Sequence, residues 1–207
     1  LMFILLIFSY LYFCHVLNKY TDLFLSDSRI FFQSYTLQLA TIRIEKLIEQ
    51  SQKWQWLSYV LIPIIVLIRV GFTTTCLYSG YFIANLNVRF RDLFKVALLA
   101  DFVFVAAGIA KLVILIFFKE VDTLDDLQFQ PLSLMQLFDK GSVDALLVYP
   151  LSLLNVFEVL YWLALAWLLT GVVEKPMGST FKTVATSYGP GLLVWVLFVM
   201  FLTVNLT

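Results

Sequence analysis

Apolar residues fall along this chain in long blocks, with neither the alternation of half-buried strands nor the single stripe of a soluble amphipathic helix. The first block, residues 1–18 with LMFILLIFSYLYFCHVL as its apolar run, is shorter than a comfortable bilayer crossing. It has no basic leader and no Ala-x-Ala site, and so reads as a retained membrane segment. A polar stretch follows from Asn18 to Gln55. Within it FFQSYTLQLATIRIEKLIEQSQKW repeats apolar positions at Phe32, Tyr35, Leu39, Ile42 and Leu47, which is helical spacing. Its mixed charges fit a membrane-surface helix or a short stalk.

Trp54 and Trp56 mark entry into the second block, which is apolar to Leu86 apart from Arg69 and the threonines at 73–75. As one helix it would measure about 46 Å, longer than a core of roughly 30 Å needs. The sequence therefore predicts a helix that projects into the interface or one that breaks near Pro63 or Gly71. NVRFRDLFK separates this block from a third at 93–118. The acidic loop 119–143 carries the short apolar piece PLSLMQLF, read as interfacial or slightly re-entrant. A fourth block runs from Ala145 to Thr170. The polar VVEKPMGSTFKT then leads to a last block, Tyr188–Leu206, where Pro190 and Gly191 mark a beginning or a bend.

These elements predict an all-α fold: a polytopic transmembrane helical bundle with four to five spans and an amphipathic N-terminal interfacial helix. Residues 1–55 form the N-terminal apolar helix plus charged segment, and 56–207 the bundle. Composition agrees, since 61% of 207 residues are hydrophobic and 14% charged, with a mean hydropathy of +0.91. The formal net charge is zero, which offers nothing to nucleic acid. The basic residues at 89–95 with Lys175 and Lys182 assign that side to the cytoplasm and the 119–143 loop to the outside. Alternation then puts 19–55 outside despite its lysines and arginines, and leaves open whether the first block crosses fully.

Four ionisable residues lie inside the blocks: Arg69, Asp101, Lys111 and Glu158. Each costs about 2.5 kcal/mol or more at membrane depth unless paired, hydrated or snorkelled. Ala97, Asp101, Gly108 and Lys111 recur near one helical face, whose small residues permit close approach of a neighbour. Asn155 and Glu158 share another. The expected arrangement is an intramembrane polar cluster in which Asp101 or Glu158 neutralises Arg69 and Asn155 supplies a hydrogen bond. Lys111, nearer the boundary, can snorkel. Trp162, Trp167 and Trp195 read as lipid-facing or interfacial.

His15 is the one histidine, and Cys14 and Cys76 sit in apolar blocks as free thiols. No metal or cofactor is expected. Nor does the chain carry a Gly-x-Ser-x-Gly elbow, a phosphate loop, His-Glu-x-x-His or CxxC, so no enzymatic role is expected.

YFIANLNVRFRDLFKVALLADFVFVAAGIAKL, with LLNVFEVLYWLALAWLLTGVVEKPMGSTFKTVATSYGPGLLVWVLFVMF, resembles the bacterial branch of the Yip-domain membrane proteins over about residues 56–204. Leu154–Gly171, Lys182 and Gly191–Phe201 occupy the pattern of helix, polar turn with a lysine, and final helix. The resemblance implies a multi-spanning bundle without established enzymatic residues, in a bacterial inner membrane. Its eukaryotic members look like trafficking adaptors that engage small GTPases, a property not carried to this chain. The first reading is thus a non-enzymatic membrane subunit or scaffold, with the lipid bilayer and other membrane protein subunits as partners. The alternative is a transporter, channel or lipid-handling component that uses the polar cluster, its small-molecule substrate unspecified.

Overall fold

In the computed structural model of the chain, residues 4–12, 15, 16, 19, 38–117, 130–138 and 143–206 are described, those at 38–52, 54–56, 58, 116, 145 and 206 by backbone alone. The part of the charged segment at 20–37 and the acidic stretches at 118–129 and 139–142 lie outside them, as does Cys14. Among the described residues the regular secondary structure is helical with no sheet, and four helices are long and apolar enough to cross a membrane: Tyr59–Ile83, Phe90–Leu115, Val156–Val173 and Met177–Asn205.

The chain divides into two compact units, Leu1–Leu67 with Leu115–Gln128, and Ile68–Ile114 with Phe129–Thr207. In the first, residues 4–12 are helical and His15 Nδ1 lies 3.3 Å from the Tyr59 hydroxyl.

Helix α1, Gln38–Ile83, contributes to both units and is unbroken over 46 residues, about 69 Å. Of the two forms the sequence allows, it takes the long one: neither Pro63 nor Gly71 ends it. Nor do the threonines that follow, because Thr74 and Thr75 donate their hydroxyls to the carbonyls of Val70 and Gly71, at 2.6 and 2.8 Å. Each polar side chain is satisfied within its own helix. The end of α1 is well made. Asn85 adopts a left-handed φ of 53°, the Leu86 N–H reaches the Tyr81 carbonyl at 3.0 Å, and the Asn85 N–H reaches that of Phe82 at 3.1 Å. This double closure satisfies carbonyls that a helix end otherwise leaves open.

The third block is two helices, α2 (Phe90–Ala100) and α3 (Phe102–Phe117), meeting at Asp101. The joint is tight, with Asp101 N–H on the Ala97 carbonyl and Phe104 N–H on that of Asp101, both at 3.0 Å. The fourth block also departs from expectation. It is broken into α4 (Ala145–Leu153) and α5 (Val156–Val173). Asn155 is the reason: its amide donates to the carbonyls of Ser152 and Leu153 at 3.2 and 3.1 Å, and its Oδ1 accepts the Glu158 N–H at 2.8 Å. One side chain caps both helices. Segment 132–134 meets the remaining groups, with Leu134 N–H on the Leu154 carbonyl at 2.9 Å and Val156 N–H on the Leu132 carbonyl at 3.2 Å. The apolar PLSLMQLF piece thus packs beside the break, its Leu134–Leu137 forming one 3-10 turn.

The last helix, α6, starts eleven residues before the apolar block, running Met177–Leu206 with Pro190 inside. One face of its polar beginning packs on protein. Thr180 donates to the Ala166 carbonyl of α5 at 2.9 Å, and Val184 and Tyr188 are buried. Helices α1 and α6 run antiparallel, Gly80 opposite Ser187, Cys76 opposite Gly191 and Phe72 beside Trp195 at 5.9 Å between rings. The end of α1, its basic sequel Arg89 and Arg91, and the α5–α6 turn with Lys175 therefore lie at one end of the second unit. Inside, Val70, Leu77, Val96, Ala97, Leu165, Ala166 and Leu169 are buried. Leu160, Trp167, Leu193, Leu197 and Phe201 point outward, the arrangement expected where lipid replaces water.

A Cβ at Gly80 would overlap the Ser187 side chain, and one at Gly191 the Cys76 thiol, whereas Gly171 has open space. Gly80→Val and Gly191→Val are expected to cost ~1–3 kcal/mol each by prising α1 from α6. Gly171→Ala should shift stability by less than about 1 kcal/mol. Melting in detergent, followed by monodispersity, reads both. Asn155→Ala removes a cap from two helices at once and should cost ~1–2 kcal/mol on the same scale.

Candidate polar site at membrane depth

Arg69 and Asp101 form the centre. Arg69 Nε donates to Asp101 Oδ1 at 2.7 Å and Nη2 to Oδ2 at 2.6 Å, a bidentate pair across two helices. The carboxylate is fully buried, while 32% of the Arg69 side chain stays uncovered. The guanidinium lies 4.4 Å from the centre of the Phe104 ring, where the negative face of the ring gives further stabilisation. Asp101 owes its aim to the α2–α3 joint, which places it one turn after the close-packed Ala97.

The second part of the cluster is Glu158, in the first turn of α5 and only 6% exposed. Its Oε1 accepts two hydrogen bonds from neutral donors, Trp162 Nε1 and the Tyr188 hydroxyl, each at 3.0 Å. The donors also brace each other, ring to ring at 5.7 Å, and Gly189 makes room because a Cβ there would press to 3.1 Å on Trp162. Between the two parts stands Tyr161, fully buried, its hydroxyl donating to Thr73 at 3.0 Å. Its ring packs on Phe104 at 4.9 Å and on Tyr188 at 5.7 Å.

Depth follows from helix length. Arg69 precedes the end of α1 by about 21 Å of helix and Glu158 precedes the end of α5 by about 22 Å, measured from one end of the unit. Both values fall inside a hydrocarbon core roughly 30 Å thick.

Of the residues singled out in the sequence, the structure joins Arg69 to Asp101 and sets Glu158 in the same aromatic cluster. Asn155 spends its hydrogen bonds on the backbone of the α4–α5 break. Lys111, half-buried, lies about 15 Å along α3 from Asp101, apart from the cluster. Trp162 differs from its lipid-facing reading. It holds Glu158 from four residues away on the same face, a spacing legible in the sequence. Trp167, 65% exposed, does face outward. Thr73, Phe104, Tyr161 and Tyr188 carry no sequence signal that separates them from ordinary packing residues. Among the described residues no three His, Cys, Asp or Glu side chains gather as a metal site.

Fold and cluster together define a class, the polytopic α-helical membrane proteins with a polar cluster inside the bundle. No family model, curated protein or solved structure matches the chain.

Removing one partner of a buried ion pair strands the other charge, at a cost of about 3–5 kcal/mol, whereas an apolar pair of similar volume is often neutral. Asp101→Asn is therefore expected to lower folded yield sharply. The double change Arg69→Met with Asp101→Leu should recover most of it. Fluorescence-detected size exclusion in detergent checks both.

Proposed function

We propose that this chain is a transport-type membrane component, a transporter, channel or lipid-handling protein, with the Arg69, Asp101 and Glu158 cluster as its polar site. The observation that carries the reading is the uncovered third of Arg69. A pair that served only to lock two helices would gain from closing over both charges, as the bundle has closed over Asp101. An arginine side chain left partly uncovered at this depth is favourable where its charged end can reach water, a polar solute or a headgroup, and unfavourable where it meets only hydrocarbon.

In this reading the end carrying Arg89, Arg91 and Lys175 faces the cytoplasm, and a bacterial inner membrane is the proposed location. No step of the proposed role requires covalent chemistry. A subunit or scaffold role is the competing proposal. It rests on the charged stretches around 31–53 and 119–143, most of whose side chains lie outside the described residues.

The test is efflux from proteoliposomes loaded with small ions and neutral and zwitterionic solutes. Wild-type protein is expected to release at least one of these classes, and Arg69→Gln, where it folds, to slow that release about tenfold or more, as for loss of an interaction worth about 1.4 kcal/mol or more. Release of none of them, together with a defined hetero-oligomer in native mass spectrometry, would favour the scaffold.

A further inference from the structure

We propose that the basic end of the second unit is a docking surface for anionic phospholipid headgroups, met by Arg89, Arg91, Lys95 and Lys182. The proposal uses no residue of the polar cluster and goes beyond the transport reading. At this end five cations, Arg89, Arg91, Lys95, Lys175 and Lys182, stand against two carboxylates, Asp92 and Glu174. Among the described residues Lys95 pairs with Asp92 at 3.1 Å, and no ion pair occupies the other four cations. The surplus positive charge is open to a partner that brings negative charge.

The places the cations occupy select a lipid over a soluble anion. Arg91 and Lys95, four residues apart, are exposed on α2, while Leu93, Val96 and Ala97 of the same helix are buried. Lys182 is exposed on α6, whose Thr180 and Val184 turn to protein. These side chains therefore point away from the bundle, toward the surrounding bilayer. Lys95 lies about 8 Å into α2 and Lys182 about 8 Å into α6, close to the thickness of one headgroup layer, about 5–8 Å. Exposed apolar side chains share the level: Phe90 stands between Arg89 and Arg91, and Phe181 precedes Lys182. At the end of α1, Phe82 and Ile83 are 74% and 80% exposed. A phospholipid answers both kinds of group at once. Its acyl chains cover the apolar side chains, and its phosphate takes the cations, whose long stems lie along apolar surface with the charge at the polar level. Each such cation near an anionic surface strengthens binding about fivefold.

Spin-labelled lipids read this surface in the membrane. The full chain is reconstituted in phosphatidylcholine vesicles, and electron paramagnetic resonance measures how strongly spin-labelled phosphatidylglycerol associates with it relative to spin-labelled phosphatidylcholine. At about 0.01 M salt the wild type is expected to prefer phosphatidylglycerol about fivefold or more. The preference should shrink toward one at about 1 M salt, where the screening length falls from about 30 Å to about 3 Å. It should also shrink toward one in the triple variant Arg89→Gln, Arg91→Gln, Lys182→Gln. Where that variant fails to fold, Lys182→Gln alone, at an exposed position, is expected to lower the preference in part. No preference, a preference indifferent to salt, or one kept in full by the variants would overturn the proposal. So would a preference abolished by inorganic phosphate at fixed ionic strength, which marks a site for a soluble anion. The reading needs neither solute release nor a partner chain, so its failure is distinct from failure of the transport role.

Discussion

A charge inside a bilayer has to be answered from within the protein, and the arrangement of the second unit follows from how Arg69 is answered. Its partner Asp101 comes from another helix, which requires α1 and the α2–α3 element to lie side by side in one register. Phe104, placed by the same joint, covers a face of the guanidinium. Tyr161 then packs on Phe104 and bonds to Thr73, tying α5 to the same level of α1. Slipping any of these helices by one turn would move its member of the cluster about 5.4 Å and strand a charge or a hydroxyl. Apolar contact between lipid-solvated helices offers little such discrimination, so polar groups set the register and small residues such as Ala97 and Gly80 allow the approach.

The backbone obeys the same constraint. Two of the apolar blocks are interrupted, yet the peptide groups freed at the interruptions have partners. Asn155 serves both sides of the α4–α5 break, segment 132–134 supplies the rest, and the Asp101 joint closes on itself through tighter bonds. Nothing comparable is needed at Thr74 and Thr75, whose hydroxyls return to their own helix.

Block length and the positions of charges made the membrane-spanning helices legible and narrowed the partner of Arg69 to Asp101 or Glu158, because hydrocarbon tolerates so few alternatives. Helix boundaries were less legible where polarity and secondary structure part company. The serines and threonines at 179–187 read as a connection but belong to α6, one face of which, Thr180 and Val184, packs on protein. The Asn155 break looked continuous because Leu154 and Val156 on either side are as apolar as the helices they join. The aromatic members of the cluster were hidden for a related reason. In a chain with ten tyrosines, twenty phenylalanines and five tryptophans, nothing in composition separates a ring that holds a carboxylate from a ring that meets lipid. Only the step of four from Glu158 to Trp162 carried that information.

The break at Leu154–Asn155 also shortens the distance between the outside of the cluster and its acid. Segment 132–134 is bonded to Val156 through the Leu132 carbonyl, and Asn155 holds the Glu158 amide. From loop to carboxyl-bearing residue there are two hydrogen bonds and one turn of helix. In a continuous helix a tug at this loop would be shared along many peptide bonds and fade. Here α4 ends before α5 begins, so the loop is bonded directly to the first turn of α5.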